Sequence, residues 1–298
     1  MLREFPLPAA VRERAAAWLD DAASASEATG GERRGVRAAA TVLLLRDSVD
    51  SVDAAGAGAP VEVFMLRRMA GMAFAAGMHV FPGGSVDERD ADTRITWFGP
   101  PPDAFAAALS ADPALARAIV VAAIRETFEE CGVLLAGAGP DRLLDDVSGR
   151  GWERDRLALA AGELGLADVL GRRDLGVRAD LLRPWAHWVT PPFERRRFDT
   201  RFFLAALPAG QQTRDLGEEA DRAEWLAPAE ALRRHREGGL LPPTVVCLEE
   251  MATAASTAEA LARPRRPRPV MPWLARPVAD DVVLQVDLDG EGGGEPAR

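Results

Sequence analysis

Apolar residues fill Arg37 to Leu45 and return from Val61 to Leu66. The stretch between them, Asp47 to Pro60, is rich in Asp, Ser and Gly. That pattern predicts two strands joined as a hairpin. Trp185 to Thr190 and Arg201 to Leu207 read as further core strands, and Pro228 to His235 as the start of a helix. Ala9 to Ala23, Ala-rich with scattered charges, predicts an N-terminal helix, followed by a link over Ser24 to Arg34. Asp112-Pro113 is a helix start, with the acid as cap and proline in the first turn. The apolar spacing then runs to Cys131, where Gly132 can close the helix. Leu143 to Leu182 carries helical spacing and is expected to form an inserted helical cap. Pro243 to Ala262 predicts a C-terminal helix and Val282 to Leu288 a last strand. Arg263 to Pro269 alternates Arg with Pro and is expected to be extended.

The predicted helix ending at Cys131 has two unlike faces. At about 100° per residue, Glu126, Glu129 and Glu130 share one side, while Val121, Ile124, Phe128 and Cys131 point the other way. Such clustered carboxylates are either a solvated acidic face or a hard-oxygen site for Mg²⁺ or Mn²⁺. Upstream, Phe81-Pro82-Gly83-Gly84 leads to Asp87 and Asp90. Gly83 and Gly84 permit close backbone approach to a phosphate.

Together, Gly84, five residues, Asp90, and later Arg125-Glu126-Thr127-Phe128-Glu129-Glu130-Cys131-Gly132-Val133 resemble the signature of Nudix hydrolases. Asp90 stands where Glu is usual, and Thr127 occupies a usually apolar place. The spacer between the two halves is long, and a Pro- and Ala-rich insertion from Trp97 to Pro113 accounts for it as a surface excursion. This split box resembles the branch containing animal peroxisomal coenzyme A diphosphatases. The resemblance covers roughly Val36 to Pro228.

The resemblance implies an α/β/α sandwich with a mixed, curved sheet, the helical cap and C-terminal helices. The Nudix domain would span residues 36–262, with insertions at about 91–113 and 143–182. Residues 1–35 would precede it and residues 263–298 would follow as an extended segment and tail. It implies that Glu126, Glu129 and Glu130 are the catalytic, Mg²⁺- or Mn²⁺-binding residues. It also implies that Arg125 braces the glycine loop through Asp90, or through Asp87 in its place. Glu218 and Glu219 are candidates for a later acid. Coenzyme A members carry a further motif in which Arg68 and Gly77 fit here, while Met69 and Ala73 depart. Arg197-Phe198-Asp199-Thr200-Arg201-Phe202-Phe203 resembles another segment of the branch. Strand alternation would put Arg195, Arg197 and Arg201 on one side, where Arg is suited to phosphate recognition. Gly83, Gly84, Arg68, Arg195 and Arg197 are the substrate-binding candidates, and His79 and His187 read as structural.

The activity implied is hydrolysis of a nucleoside diphosphate linked to another group, with coenzyme A or acyl-coenzyme A leading. ADP-ribose or a dinucleotide is the enzymatic alternative, and a ligand-binding Nudix module without catalysis is the other. A net charge of −10 argues against general nucleic-acid binding. All 36 basic residues are Arg, which points to GC-rich coding. Two cysteines are too few for a disulfide framework. Cys131 lies on the apolar helix face, which suggests packing. No stretch has the length of a membrane span, Met1 to Ala40 lacks a signal-like apolar core, and the final residues, Glu-Pro-Ala-Arg, are not a peroxisomal tripeptide. A cytoplasmic enzyme acting on a nucleotide-type small molecule, without nucleic acid or membrane and with a homodimer possible, is the expectation.

Overall fold

The strand Arg37–Asp47 shows the organisation of the core, because Val42, Leu43, Leu44 and Leu45 are all fully buried. A strand apolar on both faces must be covered on both faces. In this computed structural model, residues 1–7, 9–24, 35–48, 60–69, 77–214, 220–234, 239–278 and 281–289 are described. The chain forms two compact units. One holds residues 1–37, 187–200 and 268–298, and the other residues 38–186 and 201–267.

In the larger unit Arg37–Asp47 pairs antiparallel with Val61–Arg68, Leu45 opposite Val63. Val61–Arg68 pairs antiparallel on its other side with Ala220–Leu226, placing Phe64 opposite Trp225. Those two rings also touch, 5.3 Å between centroids, the kind of cross-strand aromatic pair that fixes register. The short strand Gly83–Ser85 adds to the free half of Arg37–Asp47, with Thr41 opposite Gly83. A second, mixed sheet sets Thr96–Phe98 parallel to Gly176–Arg178, which is antiparallel to Ala136–Gly139.

The helix Pro113–Cys131 is buried on almost every side, from Ala116 to Cys131. Its apolar residues share one core with Val42, Leu44 and Phe203 of the first sheet and Ala136 and Val177 of the second. Both of its ends follow the sequence. The Asp112 carboxylate accepts from the Leu115 amide at 2.9 Å, Pro113 sits in the first turn, and Gly132 adopts φ 69°.

The insertions are tied into the fold. The segment from Trp97 to Pro113 contains the helix Pro102–Leu109, whose Phe105 and Leu109 are buried. These two residues lie four apart on one helical face, and the surrounding Pro and Ala obscured that spacing. Leu143 to Leu182 carries the expected helices, Arg150–Ala160 and Leu166–Gly171, and then the strand Gly176–Arg178. Leu159, Leu166, Val169 and Leu170 enter the common core. The C-terminal helix expected over Pro243 to Ala262 is two helices, Pro242–Met251 and Thr257–Ala262. Ser256 starts the second by accepting from the Glu259 amide at 3.1 Å, a cap that competes with helix continuation.

In the smaller unit, Leu2–Pro6 pairs with Asp281–Asp287, which pairs in turn with Trp273–Val278, all antiparallel. The helix Ala9–Ser24 belongs to the same unit. Among the described residues, no single helix is long and apolar enough to cross a membrane.

Candidate active site

The site is built where the glycine strand meets the acidic side of the Pro113–Cys131 helix. The Gly83 amide donates to Glu130 Oε2 at 2.8 Å. Gly84 lies so close to Glu126 that a Cβ on it would meet Oε1 at 2.4 Å. Gly83 is equally confined from the sheet side, where a Cβ would come within 2.4 Å of the Ala40 carbonyl oxygen. Both positions therefore need glycine for close approach.

Arg125 holds the pieces together. Its guanidinium grips Asp90 with both edges, Nε to Oδ1 at 2.8 Å and Nη2 to Oδ2 at 2.9 Å. Nη2 also donates to the Ser85 carbonyl at 2.9 Å. Nη1 reaches Glu126 Oε1 at 2.8 Å and Glu129 Oε1 at 3.2 Å. One side chain thus links the glycine strand, the acid turn and two of the three glutamates. Asp90 is only 1% exposed, and Arg125 meets it there with both edges.

Of the two candidate brace partners, Asp90 takes the role and Asp87 does not. Asp87 caps the short helix Glu88–Ala91 and pairs with Arg89, Nε to Oδ1 at 2.8 Å. Those Arg89 bonds hold its carboxyl down at about 2. The Asp90 side chain accepts in return from the Asp87 amide at 2.8 Å. An acid turn closed in this way gives Asp90, one methylene shorter than Glu, a fixed position under Arg125.

Burial pushes the Glu126 carboxyl up to about 7, with Arg125 opposing and the Glu129 charge adding to it. Glu129 is raised as well, again chiefly by burial against the pull of Arg125. Carboxylates that are costly to ionise where they stand favour a compensating cation. Among the described residues no three acidic, His or Cys side chains converge as a ready-made cage. The donors still suit Mg²⁺ or Mn²⁺, ions that bind through a few carboxylates while keeping water and taking substrate phosphate oxygens. Glu126, Glu129 and Glu130 are the residues that would hold the ion.

Thr127 fills its usually apolar position without a polar cost, because its hydroxyl donates to the Ala123 carbonyl at 2.7 Å. Cys131 is buried, and burial raises its thiol well above the usual value, as suits a packing residue. His79 is buried beside Glu224, 3.8 Å away. His187 meets Asp199 through Nε2.

Arg68 ends the Val61–Arg68 strand, its amide donating to Met78 and its carbonyl accepting from Gly77, both at 3.0 Å. Gly77 turns there with φ 71°. Arg195 and Arg197 belong to the smaller unit, and strand alternation does not apply to them. The strand begins only at Phe198, and Arg195 sits exposed in the preceding turn. Pro191 and Pro192 interrupt pairing just before it. Arg197 donates through Nε to the Thr190 carbonyl at 3.0 Å. Arg201 is buried and donates to the Leu109 carbonyl at 3.1 Å. Ala73, Glu218 and Glu219 lie outside the described residues.

A group that the sequence pattern did not single out closes the far end of the helix. Arg156 Nη1 donates to the Glu129 carbonyl at 2.7 Å. The Arg214 amide donates to the Cys131 carbonyl at 2.9 Å. Glu153 accepts from both side chains, at 2.7 Å from Arg156 Nη2 and 2.9 Å from Arg214 Nη1.

A family model describing the NUDT19 Nudix domain matches residues 94–251, just over half of the chain. The match contains Arg125 to Val133 and begins after Asp90. An acyl-coenzyme A diphosphatase NUDT19 from Gallus gallus is 31% identical over an alignment of 231 positions that covers 61% of this chain and 58% of the relative. Its counterpart from Homo sapiens is 29% identical over an alignment of 245 positions that covers 67% of this chain and 64% of the relative. The chain thus spans less than two thirds of the length of these curated relatives. A crystal structure of a Nudix hydrolase from Alicyclobacillus acidocaldarius superposes with a TM-score of 0.63 at 30% identity, covering 78% of this chain and 98% of that one.

Proposed function

The chain belongs to the Nudix family, in the branch described by the NUDT19 Nudix domain, and we propose that it hydrolyses the pyrophosphate of coenzyme A or an acyl-coenzyme A. Water would attack one phosphorus and the bridging P–O bond would break. The products would be adenosine 3′,5′-bisphosphate and a phosphopantetheine, the water's proton passing to a carboxylate or to solvent. The observation that carries this reading is Arg125. It draws Asp90, Ser85, Glu126 and Glu129 into one bonded group on the acidic helix face.

A Mg²⁺ or Mn²⁺ ion held by Glu126, Glu129 and Glu130 would supply neutralisation of charge on the phosphate oxygens. The chain's own contribution is placement. The Gly83 amide fixes the Glu130 carboxylate, and the missing side chain of Gly84 leaves room in front of Glu126. Asp90 holds Arg125, and through it the loop, against the helix. Pre-set geometry of this kind is what electrostatic stabilisation of a phosphoryl transfer requires.

The names of the vertebrate relatives favour coenzyme A substrates. Ala73, in place of a basic residue of the coenzyme A motif, favours a second reading, in which the substrate is ADP-ribose or a dinucleotide. A panel of coenzyme A, dephospho-coenzyme A and ADP-ribose, assayed with Mg²⁺ and with Mn²⁺ and read by mass spectrometry, separates the two. On the first reading coenzyme A has the highest kcat/KM. Loss of its 3′-phosphate then costs roughly 1.5–3 kcal/mol, the value of a charge-assisted hydrogen bond. Arg68 is the first candidate for that contact, so Arg68→Ala should diminish the preference. Faster cleavage of ADP-ribose than of either coenzyme A form would establish the second reading.

A further inference from the structure

The last carbonyls of a helix lack partners within it. In Pro113–Cys131 they belong to the turn that carries Glu129 and Glu130. The Phe128 carbonyl is taken by the Gly132 amide at 2.9 Å. The Glu129 and Cys131 carbonyls are taken by groups far along the chain, the Arg156 guanidinium and the Arg214 amide.

Arg156 and Arg214 are not independent. Glu153 receives Nε and Nη2 of Arg156 at 3.0 and 2.7 Å, and Nη1 of Arg214 at 2.9 Å. Arg214 Nη2 continues to the Val147 carbonyl at 3.0 Å. Arg156 is 4% exposed, a degree of burial that a surface ion pair would not have. The same helix, Arg150–Ala160, sets Trp152 edge-on against Phe128 at 6.1 Å. Glu129 is therefore gripped at both ends, its carboxylate by Arg125 and its carbonyl by Arg156. A cationic side chain at a helix C-terminus also complements the helix dipole.

We propose that Arg156 and Arg214, joined through Glu153, are positioning residues that hold the Glu129–Glu130 turn in register for a divalent cation. The proposal rests on the cation-site reading given above. Arg156 is buried while Glu153 and Arg214 are only partly so, and an ion pair holding a buried guanidinium fixes geometry more than it adds stability. Groups that orient the ligands of a metal typically change its affinity by about 10- to 100-fold when removed. The inserted helix is then part of the ion's support.

The test is Mn²⁺ binding to the full chain, followed by the electron paramagnetic resonance of free Mn²⁺, with folding checked by circular dichroism and thermal melting. Arg156→Met keeps length and removes the donors; Arg156→Lys restores one donor and the charge; Glu153→Gln removes the shared charge. The dissociation constant should rise about tenfold or more in Arg156→Met and Glu153→Gln. It should recover part of the way in Arg156→Lys, and kcat at saturating Mn²⁺ should stay near the parent value. Glu129→Gln is the control. If it weakens Mn²⁺ binding while Arg156→Met and Glu153→Gln bind like the parent, the positioning role is overturned alone. If Glu129→Gln leaves Mn²⁺ binding unchanged, the cation site itself is overturned and the proposal with it. Loss of the folded state in both Arg156→Met and Glu153→Gln would also overturn it, because the network would then determine the fold.

Discussion

Arg125 and Asp90, 35 residues apart, meet edge to edge through two parallel hydrogen bonds of 2.8 and 2.9 Å. The aspartate is almost fully buried and the arginine nearly so. This pair joins the two halves of the split acidic motif into one site. It does so although a whole helix, Pro102–Leu109, lies between them in sequence.

The pair gives a first prediction. Removing Arg125 leaves Asp90 as a buried, uncompensated charge, which costs about 3–5 kcal/mol, whereas removing Asp90 leaves Arg125 still paired with Glu126 and Glu129. Arg125→Leu should therefore lower unfolding free energy by that order in urea titrations, and Asp90→Leu by less. The double variant should lose less than the sum of the two. Additive losses would mean that the two side chains are not coupled.

Gly83→Ala and Gly84→Ala should fail in different ways. A Cβ at Gly83 runs into the Ala40 backbone oxygen, which cannot swing aside, so the melting temperature should fall. A Cβ at Gly84 meets the end of the Glu126 side chain at 2.4 Å. That carboxylate can move, so the fold should survive. Displacing the group proposed to hold the cation should lower kcat/KM by about tenfold or more, roughly 1.4 kcal/mol. Parallel melts and assays distinguish the two outcomes, and an active Gly84→Ala would contradict the placement of Glu126.

The pH dependence follows from Glu126, whose carboxyl is raised from 4.5 to about 7, chiefly by burial. A raised acid binds its proton more tightly in the folded chain. Its stabilising contribution is complete below about pH 4.5 and is lost as pH rises through about 7. Glu126→Gln does not titrate and mimics the protonated acid. In EDTA, the parent and Glu126→Gln should be similarly stable near pH 4.5. The parent should then fall behind by at most roughly 3 kcal/mol above pH 7. Urea unfolding at several pH values measures this, and a parent that gains on the variant as pH rises would contradict the burial argument.

Much of this was readable from the chain, for local reasons. Asp112-Pro113 and Gly132 mark both ends of the acidic helix because capping is short-range chemistry. The unbroken apolar run at Val42 to Leu45 marks a strand covered on both faces. Other features depend on long-range burial. Glu153 and Arg156, three apart, look like an ordinary surface pair on a helix, and only the burial of Arg156 and its bond to the Glu129 carbonyl separate them from one. Phe105 and Leu109 were hidden by Pro and Ala around them. The choice between Asp87 and Asp90 rests on a turn in which Asp87 caps the backbone and so leaves Arg125 to its neighbour. Leu2–Pro6 is strand only because Asp281–Asp287, at the other end of the sequence, pairs with it.

We propose that the acidic face of the Pro113–Cys131 helix is the hydrolytic centre. The most direct measurement compares coenzyme A turnover by the parent, Glu129→Gln and Glu130→Gln at saturating Mg²⁺, with products identified by mass spectrometry. The parent is predicted to yield adenosine 3′,5′-bisphosphate and phosphopantetheine. Each variant should stay folded but lose about 100-fold in turnover, ~2.7 kcal/mol of barrier. Near-parent turnover in both variants would contradict the account.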